Sequence, residues 1–175
     1  MKLFEVNGSL REITNYDYFF ENINNVYWIF LRFFGEKIMS RYEVYIDNAT
    51  AGSGYTPVMT PVWSKYIIIK LGIDDFSNKE QIIWQLSHEL CHYVVSTLAG
   101  ITRKIDETKE EPMSAAMAIC VINILCPQSI NKWKDYLKSV PNENYRAGYT
   151  LAEEINYDIA SLRVRINEYA ASLCI

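Results

Sequence analysis

The residues of this chain that could carry chemistry are its only two histidines, His88 and His92, which stand four positions apart. A glutamate, Glu89, directly follows the first histidine in the stretch HELCH. In an α-helix, residues four apart lie on one face, one turn above the other, so both imidazoles can reach one metal ion. Neutral imidazole suits zinc, and the HExxH pattern therefore predicts a Zn²⁺ site with both histidines as ligands.

Glu89 is the residue of this motif that could act on a water molecule. It is rotated by about 100° from His88 around the helix, so its carboxylate can reach water on the metal without binding the metal. A zinc ion lowers the pKa of its water to about 7 and polarises a carbonyl group. The sequence thus predicts Glu89 as the general base of a hydrolytic reaction.

The alternative interpretation is that the two histidines are ordinary helix residues. Chance would give this spacing, with the glutamate in place, in about one chain in a thousand. The apolar residues of the stretch form a wide arc on a helical wheel, whereas a surface helix would carry a broad charged face. The arc contains Ile82, Ile83, Leu86, Leu90, Val94 and Leu98. Cys91 lies on that apolar side, which predicts a packing role for it.

A catalytic zinc ion needs a third protein ligand, and the chain offers no third histidine. The acidic candidates downstream are Asp106, Glu107, Glu110 and Glu111. We favour Glu111, with Glu110 as the alternative ligand. A structural role for Glu111 stays open, because Thr108 and Glu111 also fit a capping box and Pro112 could occupy the first position of the next helix.

The elements that must position these residues are several helices and a few strands, which indicates an α+β fold. Periodicity and β-propensity predict the following elements. They are a helix from Tyr16 to Phe34, strands Tyr42 to Ile46 and Tyr66 to Leu71, a turn at Ala51 to Pro57, and helices over Asn78 to Leu98, Met113 to Leu125, Ser129 to Ser139 and Thr150 to about Ser172. Residues 1–175 are expected to form one mostly helical domain, with a small sheet beside the HExxH helix.

Two capping boxes set the predicted helix starts. Ser77 and Glu80 stand three apart before the motif helix, with Ser77 as the N-cap, and Thr150 and Glu153 do the same before the last helix. Gly100 is the predicted end of the motif helix.

Composition narrows the class of protein. The net charge of −4 and the pI near 5.3 argue against nucleic-acid binding, and the scattered basic residues form no patch for an anionic membrane. The N-terminus lacks the apolar core of a signal peptide. The four cysteines match no disulfide framework and no paired zinc motif. We therefore expect free thiols and a cytoplasmic protein.

The motif and its surroundings resemble the gluzincin metallopeptidases, which pair HExxH with a glutamate on a following helix. In the aminopeptidase branch eighteen residues intervene, and here residues 93 to 110 separate His92 from Glu111. The stretch from YIIIKL through NKEQIIWQLSHELCHYVV is similar to the ImmA/IrrE-type metallopeptidases and minimal gluzincins, over about residues 66 to 125. It departs from them at Cys91, where a glycine is common, and in EEPMSAAMA, which lacks their asparagine and phenylalanine.

This resemblance implies a zinc metallopeptidase that cleaves a peptide or protein substrate. It also implies that the strand Tyr66 to Lys70 borders the cleft and pairs with an extended substrate. An oxyanion stabiliser would be a tyrosine or an arginine, with Tyr145, Tyr149 and Tyr157 among the candidates. The alternative function is a zinc-binding regulatory or interaction protein with little turnover, which would need the histidines but could dispense with Glu89.

Overall fold

The computed structural model describes residues 4–49, 58–62, 66–101 and 106–174, and the predicted turn at 51–57 lies outside them. The strands are β1 Glu5–Val6, β2 Glu43–Asn48, β3 Val58–Val62 and β4 Tyr66–Leu71. The α-helices are α1 Tyr16–Phe34, α2 Glu36–Met39, α3 Lys79–Ala99, α4 Glu107–Leu125, α5 Ile130–Ser139, α6 Glu143–Glu154 and α7 Ile159–Ser172. Short 3-10 helices cover Gly8–Glu12 and Pro127–Ser129. The expected α+β fold is confirmed.

The N-terminal helix α1 has the predicted bounds. Its buried side chains recur every three or four residues, among them Phe19, Ile23 and Phe30, so one face packs into the core. The helix ends at Gly35, whose φ of 81° is a left-handed conformation that glycine adopts without a steric penalty.

The four strands form one mixed sheet in the order β1-β2-β4-β3. Strands β1, β2 and β4 run parallel, and β3 is antiparallel to β4. Alternate residues of β2 and β4 are buried, including Val44, Ile46, Ile67 and Ile69, so one face of the sheet joins the core that also contains α1 and α3.

The position of β4 corrects one expectation. The strand Tyr66 to Lys70 was expected to pair with a substrate, but β4 is hydrogen-bonded to β2 on one side and to β3 on the other. It therefore has no free edge. Among the described residues the sheet ends at β3, which also touches α3. The prediction missed β3 because Pro61 interrupts its β-prone residues, and proline is tolerated on an edge strand.

The motif helix α3 begins one residue later than the capping-box prediction required. Asn78 is the N-cap, and its side chain accepts a hydrogen bond from the Gln81 backbone, so the assignment of Ser77 was wrong. The Glu80 carboxylate instead accepts hydrogen bonds from Ser129 and from the Trp133 indole. The Glu80 carboxylate therefore contacts the start of α5 and does not cap the start of its own helix. Gly100 ends α3 with a φ of 98°, as predicted.

Helix α4 is longer than predicted, because it starts at Glu107 rather than Met113 and contains Pro112 in its interior. The capping box of Thr108 with Glu111 is therefore wrong, and Pro112 does not begin the helix. The Thr108 hydroxyl donates to Asp106, the N-cap residue.

The last predicted helix is two helices. Thr150 lies inside α6, and α7 begins after Asp158, whose carboxylate accepts hydrogen bonds from Ala160 and Ser161. Asn156 and Tyr157 both have positive φ, which interrupts the helical conformation between α6 and α7. Neither residue is a glycine, so no glycine in the sequence marks this break.

All four cysteines are free, and three of them, Cys91, Cys120 and Cys126, are buried. In the described part of the chain no single helix is long and apolar enough to cross a membrane. Only Glu107–Leu125 taken together with Pro127–Ser139 passes that test, across a bend of 119°.

Candidate metal centre

The helical register of α3 brings the two imidazoles together. The Nε2 atoms of His88 and His92 are 3.2 Å apart, and the rings lie 5.0 Å apart between centroids. His88 is only 6% exposed. Since α3 is buried on most sides between the sheet and the later helices, both histidines face protein rather than bulk water.

Helix α4 packs against α3 and brings Glu111 to the same point. One Glu111 oxygen, Oε2, lies 3.1 Å from His88 Nε2, and the other, Oε1, lies 3.2 Å from His92 Nε2. His88, His92 and Glu111 are thus grouped closely enough to hold one metal ion. These are the three residues that the sequence predicted as ligands.

The distances in this group fit a tetrahedral zinc site. With zinc–nitrogen bonds of about 2.0–2.1 Å, neighbouring ligand atoms of a tetrahedron are about 3.3 Å apart. The separations of 3.1 and 3.2 Å from Glu111 to the two histidines are close to that value. The two separations involve different oxygens of Glu111, and the group has the size that a single metal ion needs.

Glu110, the alternative ligand, has a different place. Its Oε1 lies 2.8 Å from Nδ1 of His92, on the side of the ring away from the ligand group. Glu110 is fully buried, whereas Glu111 keeps 28% of its side chain exposed. Glu111 is therefore the acidic residue whose oxygens face the Nε2 atoms of both histidines, and Glu110 contacts the other nitrogen of the His92 ring.

Proton counting indicates that the two histidines and Glu111 bring together more acceptors than they have protons to share. An ionised Glu110 can only accept, so a neutral His92 carries its proton on Nδ1 and presents a lone pair at Nε2. That lone pair faces His88 Nε2 and a Glu111 oxygen, and a neutral His88 can supply at most one proton to them. Among the residues that the structure describes, an added proton or a metal ion would satisfy these remaining acceptors.

The pKa shifts of His92 and Glu111 agree with this excess of acceptors. Burial lowers the pKa of His92, but hydrogen bonds to Glu110 and Glu111 outweigh burial and raise it to about 9. Burial opposes ionisation of Glu111, yet the two histidines hold the pKa of its carboxyl well below the usual range. Positive charge is therefore favoured between these residues.

Glu89 lies beside this group and is 4% exposed. Burial raises the pKa of its carboxyl, while His88, His92 and a hydrogen bond from the Met59 backbone act in the opposite direction. Met59 belongs to β3, so the edge strand reaches the carboxylate that follows the first histidine. This contact could not be predicted from the sequence, because it depends on how β3 packs on α3.

Among the candidate tyrosines, Tyr145 is the one that the structure brings to the site. Its ring centroid lies 5.8 Å from that of His88. Burial, and then the negative charges of Glu111 and Glu89, raise the pKa of Tyr145 to about 12, so its hydroxyl stays protonated. Tyr157 instead donates to Glu153, and Lys138 lies over the ring of Tyr149.

Two tryptophan rings pack beside Tyr145. Trp84 meets Tyr145 nearly edge-on at 5.9 Å and stacks on Trp133 at 4.6 Å. The indole nitrogen of Trp133 donates to Glu80 across 3.0 Å. Residues of α3, α5 and α6 thus fix the ring beside His88.

The other predicted candidates lie away from the group. Asp106 is paired with Lys109 and Thr108 at the start of α4, and Glu107 is exposed. Cys91 is fully buried, and burial raises the pKa of its thiol to about 12, in keeping with a packing role.

Comparison of the chain with protein-family models, with curated proteins and with solved structures gave no match. The resemblance to the gluzincins therefore stays a prediction from the HELCH motif and the spacing of Glu111.

Proposed function

We propose that this protein is a zinc-dependent metallopeptidase that hydrolyses peptide bonds at the centre formed by His88, His92 and Glu111. The convergence of these three side chains supports the proposal, since they lie close enough together to hold one metal ion and their nitrogen and oxygen lone pairs face one another. A zinc ion held there would polarise the substrate carbonyl and lower the pKa of an attacking water.

Glu89 is the general base in this proposal. It does not belong to the ligand group, yet it is close enough to His88 and His92 for each of them to influence its pKa. Its carboxylate takes a proton from the attacking water and delivers it to the leaving amine. Burial at 4% exposure keeps bulk water away from that transfer.

Tyr145 is the proposed oxyanion stabiliser. The neutral hydroxyl can donate a hydrogen bond to the oxygen that gains negative charge when water attacks the carbonyl. Its ring lies beside His88 on the side contributed by α6, and the Trp84–Trp133 stack limits its movement.

The edge strand β3 supports a peptide as the substrate. Among the described residues β3 pairs with β4 on one side only. An extended peptide could therefore add to its open side through backbone hydrogen bonds, independently of sequence. Because the Met59 backbone reaches Glu89, a peptide on that edge would pass the proposed base.

Replacement of Glu89 by glutamine tests the proposal. We expect Glu89→Gln to bind one equivalent of zinc, as the wild type does, and to lose cleavage of a quenched-fluorescent peptide library by about 10²-fold to 10⁴-fold, because the amide cannot accept the proton. Zinc is measured by metal analysis of protein purified without chelator. Glu168→Gln, a change at an exposed position of α7, is the control and should cleave normally.

Two outcomes would contradict the proposal in different ways. Cleavage retained by Glu89→Gln would remove Glu89 as the base. A wild type that binds zinc and cleaves no peptide would instead favour a zinc-binding regulatory protein, which needs the ligands without the base.

A further inference from the structure

Glu110 is a fully buried carboxylate whose contact with His92 the metallopeptidase mechanism does not use. We propose that Glu110 is a positioning residue for the metal, which holds His92 in the tautomer and ring orientation that present Nε2 to the ion. The inference rests on the proposed function, because it presumes that an ion binds between the histidines and Glu111.

The contacts of His92 divide between two adjacent residues of α4. Glu110 Oε1 lies 2.8 Å from Nδ1 of His92, and Glu111 Oε1 lies 3.2 Å from Nε2 of the same ring. Successive helical residues point about 100° apart, which lets the pair reach both ring nitrogens. The His92 imidazole is thus held between the Glu111 carboxylate at Nε2 and the Glu110 carboxylate at Nδ1.

The chemistry of this arrangement favours metal binding. An imidazole that donates its Nδ1 proton to a carboxylate keeps the lone pair on Nε2 and becomes a more basic ligand. The second carboxylate also adds negative charge beside a divalent cation. His88 lacks this support, because its Nδ1 is buried without a hydrogen-bond partner among the described residues. Glu110 therefore positions His92 and not His88.

The position of Glu110 in the helix reduces the cost of burying it. An ionised carboxylate is expensive to remove from water unless nearby groups compensate it. Glu110 lies in the first turn of α4, where the helix dipole favours negative charge, and Glu107 shares that turn. Glu107 is exposed, so it provides a matched control with the same charge and a similar place in the helix.

The first test compares zinc affinity in Glu110→Gln and Glu107→Gln, by competition with a chromophoric chelator. Glutamine keeps the shape of the side chain and an acceptor oxygen, but it removes the charge. We expect Glu110→Gln to bind zinc 10-fold to 100-fold more weakly than the wild type, the range usual for such partners. Glu107→Gln should stay within about twofold of the wild type, because its effect is limited to a screened surface charge. Equal affinities for Glu110→Gln and the wild type would overturn the inference.

A second measurement separates positioning of the metal from a general structural role. Thermal unfolding of Glu110→Gln is compared with that of the wild type, with saturating zinc and with excess chelator. We expect the variant to lose more stability relative to the wild type in zinc than in chelator. An equal loss in both conditions would indicate a packing role and overturn the inference.

The wild-type protein alone provides a third test, which stands even if the variant does not fold. Nitrogen-15 NMR of the histidines in the zinc form should show His92 protonated at Nδ1 and bound through Nε2. Binding through Nδ1 would exclude the proposed contact with Glu110.

Failure of the inference can be told apart from failure of the proposed function. If the wild type binds no zinc, both fail together. If it binds zinc but cleaves no peptide, the metallopeptidase proposal fails, and the role of Glu110 is still decided by the affinities and the NMR spectrum.

Discussion

At the scale of single residues, the side chains around the proposed ion come from three helices and have separate tasks. His88 and His92 on α3 and Glu111 on α4 form the ligand group, while Tyr145 approaches His88 from α6. The ligands decide whether an ion binds. In the proposed function, Tyr145 would act only on the substrate, once the ion is bound.

Tyr145→Phe should separate binding from catalysis. The variant lacks the hydroxyl that donates to the developing oxyanion, so we expect kcat to fall by about 10²-fold to 10³-fold. Zinc content should not change, because Tyr145 is not a ligand. The measurement is steady-state cleavage of a peptide substrate together with metal analysis.

Tyr149→Phe is the control for that change, since Tyr149 lies one turn further along α6 and contacts Lys138 rather than the histidines. A similar loss of activity in both variants would show that the effect comes from α6 as a whole, and would contradict an oxyanion role for Tyr145.

At the scale of elements, the site depends on how closely α6 lies against α4. A Cβ atom added at Gly148 would stand 2.7 Å from the Pro112 carbonyl oxygen and 2.6 Å from the Ala115 side chain. The absence of a side chain at Gly148 is what permits this approach. The contact lies one residue after Glu111 on α4 and three residues after Tyr145 on α6, so it sets the distance between the two sides of the site.

Gly148→Ala should therefore destabilise the protein, although alanine favours helices. Overpacking against backbone costs about 1–3 kcal/mol, and the gain in helix propensity returns up to about 1 kcal/mol. We expect a net loss of about 1–2 kcal/mol in the free energy of unfolding in urea, with reduced peptide cleavage as α6 moves outward. Gly8→Ala is the control, because a Cβ there meets nothing within 4 Å. An unchanged Gly148→Ala stability would mean that the two helices adjust without strain.

The elements also show what could be predicted from the sequence. The face shared by His88 and His92 is a local property of helix periodicity, and α1 and β4 have strong local patterns, so their predictions agree with the structure. The spacing of Glu111 could be matched to a known motif. The same reasoning could not separate the tasks of Glu110 and Glu111, because the path of α4 against α3 decides which of them faces Nε2.

One of the wrong predictions involves a residue whose partners lie far away in the chain. Glu80 was assigned to a capping box, but its carboxylate is satisfied by Trp133 and Ser129. Tyr145 could not be selected from thirteen tyrosines, because only the packing of α6 brings it to His88. Short-range patterns therefore predicted the motif, and long-range packing decided its surroundings.

At the scale of the whole molecule, the proposed ion would link helix α3, which carries the two histidines, to helix α4, which carries Glu111. Without a cation, the carboxylates of Glu89, Glu110 and Glu111 lie in one mostly buried region beside the two imidazoles. The stability of the whole fold should therefore depend on metal content, because a ligand that binds only the native state stabilises it.

Removal of the metal tests this dependence. Free zinc at a thousand times its Kd would stabilise the native state by about 4 kcal/mol, and a chain of this size gains about 2–4 °C in Tm for each kcal/mol. We therefore expect excess chelator to lower the Tm of the wild type by on the order of 10 °C. His92→Ala is the control, and its Tm should respond little to zinc or chelator. A wild-type Tm that is the same in both conditions would contradict a metal centre.

Pro112 has a consequence for how α4 holds its acidic residues. A proline inside a helix cannot donate to the carbonyl four residues earlier, so the opening turn with Glu110 and Glu111 is tied to the rest of α4 by one hydrogen bond fewer than usual. An ion bound by Glu111, His88 and His92 would compensate for the missing backbone hydrogen bond by linking this turn to α3. The bound metal would then hold the first turn of α4 against the neighbouring helix α3.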